Sequence, residues 1–491
     1  MGTLLPVVLA SRARISEGAQ RFMPKETVII GAGPAGLTAG YELQKAGCRS
    51  ILLEADRQTG GMSRTLTFDG CRFDLGGHRF FTKIPEVQAL WDELLGDRFL
   101  VRPRLSRIAY DGKLFHYPLQ IGEALRQLGL ARSLGIVASY LAARINPTRP
   151  EDTFEAWVSN RFGRRLYEMF FKTYTEKVWG MSCTELSADW AAQRIRELSL
   201  WRVLTEKLFG ASRSHSLIEE FNYPPLGPQE MWDELARRLE IGGQTIHFSR
   251  RASRVNIRDG RFVQVETTDP QGATETWAGD SLVSTMALNE LALILDPAPP
   301  DAVLEAARAL RYRGHITVCA IVEAKAGFDD NWIYIHSPEI RMARLQNYSN
   351  WSEAMSPEPG VTALGLEYLA WPGDETWTMP DDDLVALGFE EFRKLDLMPA
   401  DRVRSGFVAR SGHAYPVYDP GYRERINTIR DYLATIPNLV TCGRCGMHRY
   451  NNMDHSMLTG MLAARNLLGE SNDLWSVNLE SEYIEEKRSG A

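Results

Sequence analysis

The sequence lacks the features that mark membrane-spanning, secreted or nucleic-acid-binding proteins. Its longest clean apolar run, Leu134 to Ala143, covers ten residues, about half of the roughly 20 that a transmembrane helix needs, so it predicts a buried helix. The net charge of −7 comes without long runs of one sign, so no basic surface for nucleic acid is predicted. The six cysteines are scattered, unlike a secreted disulfide framework. These absences favour a cytoplasmic protein without a transmembrane segment.

What is present is the composition of a large globular protein. The 491 residues are 44% hydrophobic and 24% charged, which is ordinary for globular proteins, and the length predicts two to four domains or one large domain with insertions. Residues 1–22 carry an apolar patch without a positive charge ahead of it, which makes a poor secretory signal. We expect them to form a flexible N-terminal extension.

A glycine motif follows the first run that is typical of a strand. The stretch VIIGAGPAGLTAGYELQKAG places Gly31, Gly33 and Gly36 in a G-x-G-x-x-G pattern between a predicted strand and a predicted helix. In that context the first glycine permits a tight turn, the second lets a pyrophosphate approach the backbone, and the third lets helix and strand pack closely. The helix N-terminus offers unpaired N–H groups to phosphates. The motif therefore predicts a Rossmann-like βαβ unit that binds a dinucleotide.

Two features after the motif indicate which dinucleotide binds. Glu54 ends the second predicted strand, 18 residues after Gly36, where a carboxylate can accept hydrogen bonds from ribose hydroxyls. The loop TGGMSR, Thr59 to Arg64, adds two glycines and an arginine. Such a loop suits a flavin dinucleotide better than a nicotinamide dinucleotide, because the flavin needs a second close approach of the backbone.

The rest of the chain divides according to its hydrophobic pattern. Residues 119–216 have apolar residues three and four apart, which is typical of helices, whereas alternating runs typical of strands follow residues 222–229. We predict an α/β fold in which a discontinuous nucleotide-binding domain carries a helical insertion and a β-sheet substrate domain. The boundaries are 23–110, 225–310 and 405–470 for the nucleotide-binding domain, 111–224 for the mainly helical insertion, 311–404 for the β-rich domain and 471–491 for a C-terminal tail.

The nucleotide-binding segments resemble those of a known flavoprotein group. The stretch around the glycine motif, Glu54 and the GGMSR loop are similar to the FAD-binding segments of amine oxidases, protoporphyrinogen oxidases, phytoene desaturases and UDP-galactopyranose mutases. The resemblance implies FAD as cofactor and a Rossmann-like, GR2-type flavoprotein fold. The cofactor-binding residues that we expect are Gly31, Gly33, Pro34, Ala35, Gly36, Glu54, Gly61, Arg64, Gly77, His78, Gly443, Arg444, Asn452 and Met453.

Further segments resemble UDP-galactopyranose mutases in particular. Similar stretches occur in the same order from about residue 27 to residue 468, the strongest being LYEMFFKTYTEKVWG. By position, the resemblance implies that His78 lies against the flavin ring and that two arginines contact a substrate diphosphate, whose oxygens guanidinium groups can bind bidentately. The implied catalytic residues are His78, Arg194 and Arg313. The implied substrate-binding residues are Tyr174, Trp179, Arg194, Arg313, Tyr450 and Asn452.

The resemblance implies interconversion of pyranose and furanose forms of a nucleotide-linked sugar. In the mutases, N5 of reduced FAD attacks the anomeric carbon as the nucleoside diphosphate leaves, so NAD(P)H is needed only to reduce the flavin. Asn452 stands where the mutases carry an aspartate, and Met342 where they carry a phosphate-binding tyrosine. The alternative is an oxidase or dehydrogenase of the protoporphyrinogen oxidase and amine oxidase type, in which FAD accepts a hydride. A non-enzymatic scaffold protein stabilised by FAD is a third hypothesis. The sequence does not identify the sugar or the nucleotide of the substrate, and it leaves open whether the protein is a homodimer.

Cys442 and Cys445 form a C-x-x-C pattern that also occurs in dithiols and zinc sites. A zinc site needs two more ligands, and the sequence has no second cysteine pair. The segment GRCGMHRYNNMDHSM instead resembles a flavin-binding stretch, so we predict neither a metal site nor a redox role. We expect Gly443 and Arg444 to let the backbone run close to the FAD pyrophosphate. We also expect a helix that starts near Asp454 to direct its N-terminus at the flavin.

Overall fold

The structure is a computed structural model that describes residues 24–188 and 219–478. The predicted extension 1–22, Arg194 and residues 479–491 of the predicted tail lie outside the described residues.

The strands of the described ranges are numbered in chain order. They are β1 (Glu26–Ile30), β2 (Arg49–Leu53), β3 (Thr65–Phe68), β4 (Cys71–Asp74), β5 (Leu100–Pro103), β6 (Ser106–Tyr110), β7 (Lys113–His116), β8 (Glu220–Tyr223), β9 (Thr245–His247), β10 (Arg251–Arg258), β11 (Arg261–Thr268), β12 (Thr274–Ala278), β13 (Ser281–Ser284), β14 (Leu295–Asp296), β15 (Tyr312–Val322), β16 (Trp332–Ile335), β17 (Arg344–Asn347), β18 (Thr362–Ala370), β19 (Val403–Pro416) and β20 (Leu439–Thr441).

The first seven helices are α1 (Pro34–Lys45), α2 (Pro85–Leu95), α3 (Ile121–Leu128), α4 (Leu130–Ile145), α5 (Phe154–Phe162), α6 (Arg164–Tyr167) and α7 (Thr173–Trp179), with a π-helical turn over Glu168–Lys172 between the last two. Later helices are cited by range. They are Gln229–Ile241, Leu288–Leu293, Asp301–Ala309, Tyr348–Trp351, Glu375–Thr378, Asp381–Leu395, Tyr422–Leu433, Gly443–Gly446 and Met453–Leu467.

A five-stranded parallel sheet is assembled from distant parts of the chain. Its order is β20-β13-β1-β2-β9, and every neighbouring pair is parallel. The middle strands are almost wholly buried, because helices cover both faces of such a sheet, and this explains their unbroken apolar sequences. The predicted Rossmann-like βαβ unit is confirmed, with α1 between β1 and β2.

Three helices form one layer beside this sheet. The helix Met453–Leu467 and the helix Gln229–Ile241 both pack against α1. Close approach is possible because small residues face each other: a Cβ on Gly460 would lie 2.2 Å from the carbonyl oxygen of Ala35. The last helix of the described chain is thereby held against the first one, with its N-terminus at the same edge of the sheet.

A seven-stranded sheet makes up the second half of the molecule, in the order β19-β15-β18-β17-β16-β6-β7. The prediction assigns residues 405–416 and 106–110 to the nucleotide-binding domain, and the structure corrects both boundaries. β19 pairs with β15 along nearly its whole length, and β6 pairs with β16. These strands belong to the second sheet because its backbone hydrogen bonds hold them there. A smaller sheet, β12-β11-β10-β14, lies in the middle of the chain.

The described part of the predicted insertion is mainly helical but is bordered by β7 and β8. Residues 134–143 lie in the helix α4, as expected, but the expectation that this helix is buried is wrong. On α4, Ile136 and Tyr140 are buried, whereas Leu134 and Leu141 are 61% and 52% exposed, so only one face of the helix contacts the core. None of the helices in the described ranges combines the length and apolar character needed to cross a bilayer.

Candidate active site

The turn between β1 and α1 is built from the predicted glycines. Gly31 has a φ of +97°, in the left-handed region that favours glycine, and a Cβ there would lie 2.2 Å from Oγ1 of Thr285. A Cβ on Gly36 would lie only 1.9 Å from the carbonyl oxygen of Gly31. The helix can therefore start this close to the strand only because both positions lack a side chain.

Glu54 follows the neighbouring strand, β2, and is buried. Its carboxylate accepts hydrogen bonds from the backbone N–H groups of Ala32 (2.7 Å) and Asp56 (2.9 Å). Burial raises the pKa of Glu54, although these hydrogen bonds act against the rise. A carboxylate offers about four acceptor positions, so it can also accept from ligand hydroxyls. Glu54 lines the cavity described next.

A first cavity of about 300 Å³ opens where β1 and β2 end. The N-terminus of α1 borders it, and Gly33 supplies no side-chain cap there. The N-terminus of the helix Met453–Leu467 borders it as well, although the side chains of Asn452 and His455 accept from two of its N–H groups. Two helix N-termini direct their positive dipole ends to the same space. A Cβ on Gly61 would lie 3.3 Å from Cα of Gly33. The cavity therefore suits a phosphate-containing ligand that two backbone segments approach closely.

The structure brings most of the predicted cofactor residues to this first cavity. Gly36 is an exception because it serves the packing of α1. Arg64 is corrected: its Nη1 donates to the carbonyl oxygen of Gly61 (2.8 Å) and pairs with Asp56 (3.0 Å), so it holds the loop without lining the cavity. The predicted residues that line it are Gly31, Gly33, Pro34, Ala35, Glu54, Gly61, Gly77, His78, Gly443, Arg444, Asn452 and Met453.

His78 lines the first cavity from the loop between β4 and α2. Its Nε2 donates to the carbonyl oxygen of Leu75 (2.9 Å), because a neutral ring with that tautomer satisfies the buried carbonyl. Burial lowers the pKa of His78 to about 4. The imidazole is therefore neutral at physiological pH, with Nδ1 as its acceptor nitrogen.

A second cavity of about 310 Å³ adjoins the first and is walled mainly by aromatic rings. The ring of Tyr174 stacks on His336, with centroids 4.9 Å apart, and meets Tyr334 edge-on at 5.3 Å. Trp179 packs edge-on against Tyr415 at 6.3 Å. The predicted substrate residues Tyr174, Trp179, Tyr450 and Asn452 all line this cavity. None of its described lining residues is acidic.

The two cavities share one wall, and an ion pair between Arg344, which lines both of them, and the buried Glu367 lies in it. Arg344 donates from Nε to Glu367 and from Nη2 to the hydroxyl of Tyr415 (2.7 Å). Burial would raise the pKa of Glu367, but Arg344, His315 and Gln346 together lower it to about 2. Burial would lower the pKa of Arg344, but the carboxylate raises it well above its ordinary value. The residues that line both cavities are Gly77, Arg79, Arg344, Tyr415, Tyr450 and Asn452.

The prediction of Arg313 as a diphosphate ligand is corrected. Its guanidinium donates to the carbonyl oxygens of Lys177 (3.2 Å), Val178 (3.3 Å) and Leu369 (2.7 Å). It lines neither cavity. The side chain is buried because it satisfies carbonyl groups at the C-terminus of α7 that the helix leaves unpaired. Arg194, the other predicted arginine, lies outside the described residues.

Sequence reasoning missed Arg344, although a signal existed. In the run MARLQN, Arg344 and Gln346 are two positions apart between apolar neighbours. In a strand such residues share a face, so an otherwise buried strand carries a polar stripe. Met342, predicted to stand at the phosphate end, is instead buried in the core below the seven-stranded sheet.

Both cysteines of the C-x-x-C pattern are held as thiols. Burial raises the pKa of Cys442 to about 12 and that of Cys445 to about 11. Between them, Gly443 has a φ of +81°, and Arg444 lies over the ring of Tyr450 at 4.0 Å while its Nε donates to the carbonyl oxygen of Ala414 (2.8 Å). The segment is thus a glycine turn with an arginine fixed at the cavity wall.

Comparison with known proteins shows the family. The family of flavin-containing amine oxidoreductases matches residues 34–468. The chain belongs to this family. It is therefore a flavoenzyme that uses FAD. The turn of Gly31 and Gly33, which we call the glycine cradle, fits FAD together with the two helix N-termini. Gly33, Glu54, Gly61 and Gly443 would hold the cofactor.

The proteins to which this chain is similar are named for different reactions. Coproporphyrinogen III oxidase of Mycobacterium tuberculosis is 24% identical over 437 residues, which are 86% of this chain and 92% of that protein. A Klebsiella pneumoniae protein called "Probable UDP-galactopyranose mutase" is 26% identical over 171 residues, 34% of this chain and 44% of that one. The crystal structure of reduced UDP-galactopyranose mutase superposes with a TM-score of 0.81 at 21% identity, covering 94% of this chain and 99% of the other. The last comparison shows the shared fold.

Replacement of Gly36 with alanine tests the cradle. The added Cβ would overlap the carbonyl oxygen of Gly31, so α1 must shift from β1, and we expect destabilisation by about 1–3 kcal/mol together with loss of bound FAD. Flavin absorbance of the purified protein and its thermal midpoint measure both effects. Gly327→Ala is the matched control, since a Cβ there meets nothing within 4 Å. Full flavin content in Gly36→Ala would contradict the assignment.

Thiol labelling tests the state of Cys442 and Cys445. With pKa values of about 12 and about 11, roughly one in 10⁴ and one in 10³ of these groups is a thiolate at pH 8. We expect neither to react with a disulfide reagent in the folded holoenzyme within minutes, and both to react in denaturant. Mapping of the labelled peptides by mass spectrometry gives the result, and rapid labelling of either residue in the folded enzyme would show an activated thiol.

Proposed function

We propose that this enzyme acts on a nucleotide-linked sugar and interconverts its pyranose and furanose forms, as UDP-galactopyranose mutases do. The observation that supports this most directly is the charge of the second cavity. Its charged lining residues, Arg79 and Arg344, both lie where it meets the first cavity. Arginine binds phosphate oxygens bidentately and stabilises charge that develops on a leaving diphosphate.

The residues where the two cavities meet, and those of the second cavity, contact different parts of the substrate. Arg344 is oriented by Glu367, and Tyr415 accepts its second hydrogen bond, so the guanidinium is fixed before the substrate arrives. The rings of Tyr174, Trp179 and Tyr450 supply flat apolar surfaces for a base and a sugar. His78 can accept a proton or a hydrogen bond at Nδ1. Reduced FAD supplies the nucleophile when bound, and NAD(P)H is the reductant that we propose for it.

The same charges argue against oxidation of amines. A protonated amine would meet two arginines, one of them paired with Glu367, and no carboxylate among the described residues that line the second cavity, and like charges repel each other. The second candidate function is therefore oxidation of an anionic substrate of the porphyrinogen type. The full-length similarity to coproporphyrinogen III oxidase and the apolar part of the cavity, with Phe154, Phe170 and Phe171, favour it.

Turnover by the reduced holoenzyme separates the two functions. We expect protein reduced anaerobically with NADPH or dithionite to convert a UDP- or TDP-linked hexopyranose to its furanose form, without net oxidation, as chromatography of the nucleotide sugars would show. The oxidised enzyme should be inactive. Peroxide formation or acceptor reduction in step with the loss of coproporphyrinogen, with no change in any nucleotide sugar, would establish the alternative.

Arg344→Lys tests the anion site. Lysine keeps the charge that Glu367 needs but loses the planar fork, so we expect the affinity for nucleoside diphosphates to fall by about 10- to 100-fold while FAD stays bound. Calorimetric titration of the reduced enzyme measures this affinity. Arg313→Lys is the matched control: it removes a fork that lines neither cavity, and its nucleotide affinity should equal that of the wild type. If Arg344→Lys bound nucleoside diphosphates as tightly as Arg313→Lys and the wild type, Arg344 would not be the residue that binds the anion.

A further inference from the structure

Two buried acceptor atoms in the second cavity have no hydrogen-bond partner. One is Oε1 of Gln346 and the other is Nδ1 of His336. Both side chains line the cavity and are only 2% and 5% exposed. Buried acceptors of this kind are rare in folded proteins unless a ligand or water satisfies them.

The orientation of Gln346 is fixed by its neighbour. Its Nε2 donates to Oε1 of Glu367 at 3.0 Å, and a carboxylate that is held ionised can only accept. The amide therefore cannot be turned over, and the carbonyl oxygen is the atom left for the cavity. A Cβ on Gly77 would lie 3.2 Å from Nε2 of Gln346. Since Gly77 lines both cavities, Gln346 marks the end next to the flavin site.

His336 is neutral at physiological pH. Burial first, and then the nearby ammonium of Lys177, lowers its pKa to about 3, against a smaller opposite effect of the Phe170 backbone. Nδ1 is the buried nitrogen without a partner, and we assign the proton to Nε2, which leaves Nδ1 as the acceptor. Phe170 and Tyr174, which surround His336, line only the second cavity. His336 therefore marks its far end.

Strand register places Arg344 between the two acceptors. In the β16–β17 pair, Trp332 lies opposite Gln346 and Tyr334 lies opposite Arg344. His336 follows two residues after Tyr334. The side chains of Gln346, Arg344 and His336 therefore lie on one face of the sheet in that order, with the cation between the two acceptors. At about 3.3 Å per residue, four steps separate Gln346 from His336 by about 13 Å. A porphyrinogen has the opposite arrangement, with N–H donors in the middle and carboxylates outside.

We propose that Gln346 and His336 determine substrate specificity by accepting hydrogen bonds from donors at the two ends of a substrate whose central anion Arg344 binds. This proposal rests on the proposed nucleotide-sugar function and deepens it. A hydroxyl of the sugar donates to Oε1 of Gln346 beside the flavin site. An N–H group of the base donates to Nδ1 of His336, while the base stacks among the rings of Phe170 and Tyr174.

Binding to the reduced holoenzyme tests each end separately. The probes are UDP, TDP, ADP, GDP, UDP-galactose and inorganic pyrophosphate, titrated by calorimetry. His336→Phe keeps the stacked ring but removes the acceptor, so we expect the tightest nucleoside diphosphate to bind at least about tenfold more weakly. Pyrophosphate should bind as it does to the wild type. His336→Asn, whose Oδ1 lies near the position of Nδ1, should recover most of the loss.

The sugar end has its own variant and readout. Gln346→Met should weaken UDP-galactose more than UDP, because only the sugar nucleotide reaches that acceptor. Flavin absorbance and the thermal midpoint verify that each variant is folded, and the His336 pair tests the inference independently if Gln346→Met does not fold.

The outcomes distinguish this inference from the function on which it rests. Wild-type affinity for nucleoside diphosphates in His336→Phe would overturn the role of His336 and leave the proposed function standing. An equal loss for UDP and UDP-galactose in Gln346→Met would overturn the role of Gln346. Failure of the wild-type enzyme to bind any of the nucleotides, or tighter binding of coproporphyrinogen than of all of them, would overturn both.

Discussion

The buried pair of Arg344 and Glu367 is the constraint around which the two cavities are organised. Removing two charges from water costs several kcal/mol per ion, and such a pair is tolerated only when further hydrogen bonds satisfy it. Here Gln346 donates to the carboxylate, His315 lies 3.7 Å from it, and Tyr415 accepts from the guanidinium. Well-packed apolar residues would stabilise a sheet at least as well, so stability alone does not explain an ion pair at the shared wall, and the anion site that we propose there does.

The position of the site follows from the way the chain assembles its first sheet. Strands from the first, middle and last parts of the chain lie side by side in the order β20-β13-β1-β2-β9. Ligands of open parallel sheets bind at the carboxyl ends of the strands, and the N-termini of α1 and of Met453–Leu467 meet there. The Cys442–Cys445 segment connects β20 to that last helix. Gly443 and Arg444 line the cavity together with Cys445, and burial keeps both cysteines of the segment as thiols.

The two arginines 313 and 344 show the limit of sequence reasoning at this site. Both lie in strands of the same sheet, and both are largely buried. Arg313 donates to two carbonyls at the end of α7 and to the carbonyl oxygen of Leu369 in β18, whereas Arg344 contacts a carboxylate and a tyrosine at a cavity wall. The residues that each arginine contacts are distant in sequence, so the polar stripe of β17 indicates a buried polar face but does not identify the partners of Arg344.

The sequence by itself determined the βαβ unit and its glycine cradle, and it identified Glu54, Tyr174, Trp179 and Tyr450, which line the cavities. These features depend on turn conformations and on long, distinctive local motifs. Only the tertiary structure decided that Arg344 lines the second cavity and Arg313 does not, that β6 and β19 belong to the second sheet, and that Gln346 and His336 each keep an unpartnered buried polar atom. Those features depend on strand pairing and burial, which bring residues together from separate parts of the chain, and hydrogen-bond satisfaction is known only when all partners are in place.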